Sequence, residues 1–284
     1  MSEDLTAALD RLRNGLTELG SVLVAFSGGV DSAFLLAAAA RALPSRKVAG
    51  ATAVSGSLAS GELDRARAFA ADLGVGWFDV DTDEMAREGY RANAGDRCFH
   101  CKSELLDRLN PLAAEHGFAH VATGTNADDA VAGFRPGIRA AAERGARTPL
   151  LDAGLTKAQI RQASRAWGLP TRDKPAAACL SSRIAYGVQI TGPGLARVDR
   201  AELAARAELA GLGLTSVNLR VRDLGGDRAR IELDPELLPL LTPGQAAAVR
   251  VAVVGAGFAG AEVDPRGFRS GAMNELLADP ERFR

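Results

Sequence analysis

The sequence predicts an α/β fold: a parallel sheet with helices on both faces, followed by a smaller α+β unit. Three observations carry this reading. Through the first two thirds of the chain, short apolar runs alternate with helical patterns. Strands separated by helices need crossover connections, and these build parallel sheets. Residues 171–193 then break the rhythm with prolines and glycines, and a different order of helices and strands follows. The chain therefore divides into residues 1–170, a connector at 171–193 and a small unit at 194–284.

In chain order, the stretch up to Gly20 alternates charge with Leu and Ala, as an amphipathic helix does. Residues 21–26 read as a buried strand, and 30–43 as a helix that Pro44 ends. A second strand covers 47–54, a helix 62–73 is closed by Gly74, and a third strand covers 77–80. A helix from about residue 98 precedes a fourth strand at 120–123. The helix at 157–167 opens with Thr156-Lys-Ala-Gln159, a capping-box pattern, and stops at Gly168. In the small unit a helix at about 195–209 precedes strands at 217–222 and 230–233, joined across Gly225-Gly-Asp227. A helix near 245–254 and a short strand near 261–263 complete it.

With 284 residues, of which 47% are hydrophobic and 24% charged, the chain can bury a core, which excludes wholesale disorder. The 34 Lys+Arg balance 35 Asp+Glu to a net charge of −1, a poor design for gripping nucleic acid or an anionic membrane. The acidic start Met1-Ser2-Glu3-Asp4 is unlike a signal peptide. The longest apolar stretches, 33–40 and 251–261, fall short of the ~20 residues of a spanning helix. Three cysteines build no disulfide framework, so the expected setting is reducing and cytoplasmic.

Ser27-Gly-Gly-Val-Asp-Ser32 follows the first strand and opens the first crossover helix. Two glycines allow close backbone approach, and the serines with the helix-start amides form an anion cradle. The carboxyl end of such a strand is also where ligands bind in open α/β sheets. A second run, Gly255-Ala-Gly-Phe-Ala-Gly260, matches the dinucleotide fingerprint only literally. No helix, return strand and acidic partner follow it, so it reads as a helix end and turn.

Cys98-Phe-His-Cys101 places two thiols on one helix face, and Cys179 follows much later. Spacing alone leaves four readings open. A structural zinc would need His100, His116 or His120 as its fourth ligand. A redox pair would leave Cys179 idle, and buried structural cysteines would need no ligand. A [4Fe–4S] cluster on three thiolates would keep one iron open.

The six residues Ser27–Ser32 resemble the signature of the PP-loop ATP pyrophosphatases, which bind ATP and adenylate an oxygen of a second substrate. Further runs occur in the order found in the LarE family: Arg97-Cys-Phe-His-Cys-Lys102, Gly124-Thr-Asn-Ala-Asp-Asp129, Phe134-Arg-Pro-Gly137, Lys174-Pro-Ala-Ala-Ala-Cys-Leu-Ser-Ser-Arg183, Tyr186-Gly187 and Gly267-Phe-Arg-Ser-Gly271. The resemblance spans nearly the whole chain. It implies a PP-loop domain with a smaller C-terminal domain, and an ATP-dependent sulfur transferase of nickel-pincer nucleotide synthesis. The substrate implied is pyridinium-3,5-biscarboxylic acid mononucleotide, with no nucleic acid or membrane partner.

By the same resemblance, Ser27, Gly28, Gly29 and Ser32 hold the pyrophosphate, Asp31 serves the phosphates and Mg²⁺, and Gly124, Asp128 and Asp129 lie near ATP. Arg183, Arg220 and Arg222 would take the anionic substrate, the last two sharing a strand face. Cys98, Cys101 and Cys179 would hold a [4Fe–4S] cluster loaded by a sulfide donor. The family also contains a branch in which the residue corresponding to Cys179 gives up its own sulfur. A PP-loop tRNA thiolase is the nearest alternative enzyme, and the family assembles as homo-oligomers.

Overall fold

A computed structural model of the chain describes residues 3–131, 136–175, 179–269 and 271–276. In chain order the elements are α1 Glu3–Leu19, β1 Val22–Ala25, α2 Val30–Ala42, β2 Val48–Val54, α3 Glu62–Leu73, β3 Gly76–Asp81, α4 Glu88–Ala92, α5 Arg97–Glu115 and β4 His120–Thr123. There follow α6 Ala127–Val131, α7 Pro136–Glu143, α8 Pro149–Asp152, α9 Lys157–Ala166, α10 Gly192–Gly211, β5 Arg220–Asp223, β6 Arg228–Glu232, α11 Pro243–Gly255 and β7 Gly260–Val263. Residues 3–84 and 98–175 form one compact unit, and residues 85–97 and 179–276 another. The segment 85–97, which the sequence division leaves in the first part, thus belongs to the second unit.

The first unit holds a four-stranded sheet in the order β3-β2-β1-β4, with every pairing parallel. Along β1 the side chains alternate. Val22 and Val24 join a core with α1, α2 and α9, whereas Leu23 and Ala25 join Leu106, Leu109 and Val121 in a core on the opposite face. This two-residue period explains why β1 is an uninterrupted apolar run: both of its faces are covered. Helix α2 is apolar on nearly every side and is buried along most of its length. From β1 the chain proceeds toward β2, while β4 lies on the other side of β1. The carboxyl ends of β1 and β4 therefore flank the topological switch of the sheet, where open α/β sheets form a ligand crevice.

The second unit has a three-stranded sheet in the order β5-β6-β7, with β5 antiparallel and β7 parallel to β6. Helices α10 and α11 begin at Thr191 and Thr242, whose hydroxyls accept backbone N–H bonds from the first turn. The glycine-rich run at 255–260 closes α11 and leads into β7. Among the described residues, no helix is long and apolar enough to cross a membrane.

Candidate active site

The loop between β1 and α2 is built by its glycines and serines. Gly28 adopts a left-handed φ of +72°, and a side chain there would meet the Glu62 carboxylate at 2.9 Å. Gly29 caps α2 with no side-chain hydrogen bond, which leaves the first-turn amides available to an anion. The Ser32 hydroxyl accepts from Ser27 N–H at 3.2 Å, donates to Gly29 O at 3.2 Å and touches the Ser27 hydroxyl at 3.2 Å. Gly124, just after β4, packs directly on this turn. A Cβ on Gly124 would lie 2.8 Å from Ser32 N.

Asp31 sits in the first turn of α2 and receives a hydrogen bond from Lys157 Nζ. Its Oδ1 is buried without a hydrogen-bond partner. Burial pushes the Asp31 carboxyl up; Lys157 pulls it down and Asp129 adds to the rise, leaving it above the usual carboxylate range. A buried carboxylate oxygen lacking a donor suits a hard cation such as Mg²⁺. Asp128 accepts from the Lys157 backbone N–H at 2.8 Å, and Asp129 exchanges capping bonds with Asn126 at 3.1 and 3.3 Å. Both acidic residues thus hold helix starts, and Asp129 also acts on Asp31.

On the far side of the glycine loop, Lys174 Nζ donates to Glu62 Oε2 at 2.6 Å. Burial raises the Glu62 pKa, but Lys174 and Arg65 outweigh it, and the carboxyl is held below its ordinary value. Arg161 ties this segment down by donating to Arg172 O at 2.9 Å and Lys174 O at 3.2 Å.

Cys98 and Cys101 lie in the first turn of α5, the first exposed and the second half-buried. The Cys101 Sγ lies 4.0 Å from Glu84 Oε1. Burial depresses the Lys102 pKa, while the Cys101 and Cys98 thiols oppose that shift. Cys179, in the second unit, is half-buried and caps the short 3₁₀ turn Leu180–Arg183, its Sγ 2.8 Å from the Ser181 hydroxyl. None of the three forms a disulfide. Among the described residues, no group of three or more His, Cys, Asp or Glu side chains is gathered as a metal site. Thiolates are the donors that iron–sulfur clusters take, and each of the three cysteines is a free thiol.

The three arginines are buried rather than solvated. Arg183 pairs with Glu202 at 2.8 Å and donates to Cys179 O at 3.1 Å. Arg222 pairs with Glu232 at 2.7 Å and donates to Ser182 O at 3.1 Å. Arg220 is lowered to about 10 by burial and by the charges of Arg183, Arg222 and Arg206, which outweigh the opposing pull of Glu202. An added anion would relieve that crowding of positive charge.

Residues 4–203 match the asparagine synthase family model. The chain is 42% identical over 274 residues to "Uncharacterized protein slr1717" of Synechocystis sp., covering 96% of this chain and 99% of that relative. It is 33% identical over 263 residues to the pyridinium-3,5-bisthiocarboxylic acid mononucleotide synthase of Lactiplantibacillus plantarum, covering 92% of each. The chain belongs to the LarE family. As a LarE-family protein it is an enzyme of the PP-loop, ATP-using type, in keeping with the parallel sheet and the loop after β1.

Within this LarE-family fold, sequence reasoning missed Lys157, Arg161, Lys174 and Glu62. Lys174 stood in a family motif without a role, and Lys157 follows a cap that marked only a helix start. Of the motif residues quoted above, Phe134, Arg135, residues 176–178 and Ser270 lie outside the described residues.

Proposed function

We propose that this protein is an ATP-dependent sulfur transferase that converts carboxylates of pyridinium-3,5-biscarboxylic acid mononucleotide to thiocarboxylates for nickel-pincer nucleotide synthesis. The observation that carries this reading is the anion cradle at the start of α2 with the orphaned oxygen of Asp31. Its supporting relative is named for the bisthiocarboxylic product.

In this reading the α2 amides, Ser27 and Ser32 hold the β- and γ-phosphates, and Gly28 and Gly29 leave room for them. Lys157, partly exposed, moves from Asp31 to the phosphates. Mg²⁺ on Asp31 would neutralise charge building on the leaving pyrophosphate. A substrate carboxylate oxygen attacks the α-phosphorus, the α–β bridge bond breaks, and pyrophosphate departs. The acyl adenylate that results is an activated acyl donor; attack by a sulfur nucleophile forms the C–S bond and expels AMP. Arg220 and Arg222, with Arg183 supporting the Cys179 turn, bind the substrate's anionic groups. Cys98, Cys101 and Cys179 would hold a [4Fe–4S] cluster, which supplies a sulfide donor when bound. The setting is cytoplasmic, the partners are small molecules and a sulfide donor, and the protein works as a homo-oligomer.

The test is anaerobic turnover with ATP and the biscarboxylate nucleotide. Asp31→Ala should abolish AMP release, and retained release would remove Asp31 from the site. Repeated turnover with an unchanged chain mass is the expected outcome. Loss of the single sulfur atom of Cys179, with each chain stopping after that one transfer, would instead make that thiol the donor, the reading favoured by its partial exposure beside Ser181.

A further inference from the structure

Within the second unit, strands β5 and β6 present one apolar face and one charged face. Val221, Ala229 and Ile231 are buried on the first. Arg220 is in register with Glu232 and Arg222 with Arg230, so these four side chains share the second.

The chain beyond β7 is strapped to the end of β6. Asp264 N–H donates to Ile231 O at 2.8 Å, and Phe268 N–H donates to Leu233 O at 2.7 Å. Gly267 permits this approach with a left-handed φ of +66°; a Cβ there would lie 2.8 Å from Leu233 O and 3.1 Å from Pro235 Cα. The strap brings the Phe268 ring to 5.4 Å from the central carbon of Arg220. It also sets Arg269 Nη1 3.9 Å from Asp264 Oδ2.

Two arginines of this cluster hold donors that the fold leaves unused. The Arg230 side chain is only 17% exposed, and its buried Nε has no hydrogen-bond partner. Glu232 Oε1 and Asp264 Oδ2 each stand 3.9 Å from that Nε, beyond the reach of an N–H···O bond. Glu262, its register partner on β7, forms no ion pair with it among the described residues. Arg269 is anchored by Glu275, whose two oxygens accept from Nη2 at 3.2 Å, while its buried Nη1 has no hydrogen-bond partner. Among the described residues three buried side-chain nitrogens are orphaned, and two of them belong to this cluster. Orphaned donors are costly to bury, so their gathering at one place points to a ligand that supplies acceptors.

We propose that Arg230 and Arg269 are further substrate-binding residues, supplying hydrogen-bond donors to the phosphate of the nucleotide beside the Arg220–Arg222 pair. The inference rests on the reading that the substrate is the pyridinium mononucleotide. A phosphate offers several acceptor oxygens and up to two negative charges, so it can satisfy guanidinium groups arriving from two elements at once. The two carboxylates approach Arg230 on its Nε side, which leaves the Nη pair to the ligand. The substrate's carboxylates are the reacting groups and must face the adenylating phosphorus. Its phosphate does not react, and a site of its own lets that group's binding energy orient the rest of the molecule.

The experiment titrates the full chain by calorimetry with pyridinium-3,5-biscarboxylic acid mononucleotide and with the nucleoside that lacks its phosphate. ATP binding and the urea midpoint are measured on the same samples. Arg230→Met should weaken the mononucleotide by roughly 10–150-fold, the worth of a hydrogen bond to a charged group, while binding the nucleoside and ATP as the parent does. Arg230→Lys should recover part of the loss, and Arg269→Met should weaken the mononucleotide in the same direction. A folded Arg230→Met with parental affinity for the mononucleotide overturns the proposal. Equal weakening of mononucleotide and nucleoside overturns it too, because that is the signature of a merely structural role. If Arg230→Met does not fold, Arg230→Lys decides: parental discrimination between the two compounds overturns the proposal. A parent chain that binds both compounds equally removes the phosphate site alone. A parent chain that binds ATP but neither compound overturns the substrate reading, and this inference with it.

Discussion

Replacing Gly124 by alanine puts a methyl carbon 2.8 Å from Ser32 N and 3.1 Å from both Asp31 C and Ser32 Cα. Non-bonded carbon contacts settle near about 3.5 Å, so the end of β4 and the start of α2 must part by roughly 0.5 Å. All three atoms are backbone, and no change of rotamer relieves the clash. Overpacking of this kind costs about 1–3 kcal/mol, equivalent to a fall in melting temperature of roughly 2–12 °C for a chain of this size. The cradle suffers more than the fold, because a displacement of about 1 Å at reacting groups costs on the order of a hundredfold in rate. A shift half as large predicts AMP formation reduced by roughly ten- to a hundredfold. The assay is AMP release with ATP and substrate, run beside thermal unfolding. Gly15→Ala is the control: nothing lies within 4 Å of a Cβ there, so it should gain up to about 1 kcal/mol of helix stability and release AMP as the parent does. Gly124→Ala with parental AMP release and an unchanged melting temperature would refute the close approach of β4 to the phosphate turn.

Arg222→Met should leave Glu232, 0% exposed, with Arg230 at 3.9 Å as its remaining ion-pair partner among the described residues. Stranding a buried carboxylate predicts a loss of about 3 kcal/mol, read as a lower urea midpoint; a stability equal to the parent's would show that the pair is replaceable. Asp31 carries a raised pKa, so its charge is lost earlier on acidification than an ordinary carboxylate's. ATP–Mg²⁺ affinity should accordingly weaken as the pH falls through that raised value, and Asp31→Asn should bind weakly with no such pH dependence in a calorimetric titration. For folding the sign is opposite: the neutral form is preferred inside, so this group's contribution to stability is present below the unfolded pKa and lost as pH rises through the folded one.

Elements with local signals were legible in the sequence. The predicted 62–73 and 120–123 coincide with α3 and β4, and the Thr156–Gln159 pattern forms both bonds of a capping box at α9. Those signals lie within a few residues of one another, so no knowledge of the tertiary fold is needed. What could not be read depends on partners far along the chain. Lys157 reaches Asp31 across 126 positions, and the buried Arg183 and Arg222 are paired with Glu202 and Glu232, 19 and 10 positions away. A lone Arg-x-Arg on a strand predicts a shared face but not which carboxylates neutralise it. The short helix at Ala127–Val131 was hidden for the opposite reason. Its acidic residues read as neighbours of ATP, and the structure adds that Asp129 exchanges bonds with Asn126 at this helix start while Asp128 accepts from the Lys157 backbone N–H.

The excursion of residues 85–97 into the second unit also bears on biosynthesis. Asn93 and Arg97 leave the ribosome well before the carbonyls of Ser181, Ala185 and Val188 that they serve. At about 5–20 residues per second, translation makes them wait roughly 5–20 s for those acceptors. During that interval the nascent chain carries a polar segment whose native hydrogen-bonding partners do not yet exist. A fragment ending near residue 175 would retain this vacancy permanently, so the ATP-binding half is not a free-standing module that can be cut out at one point.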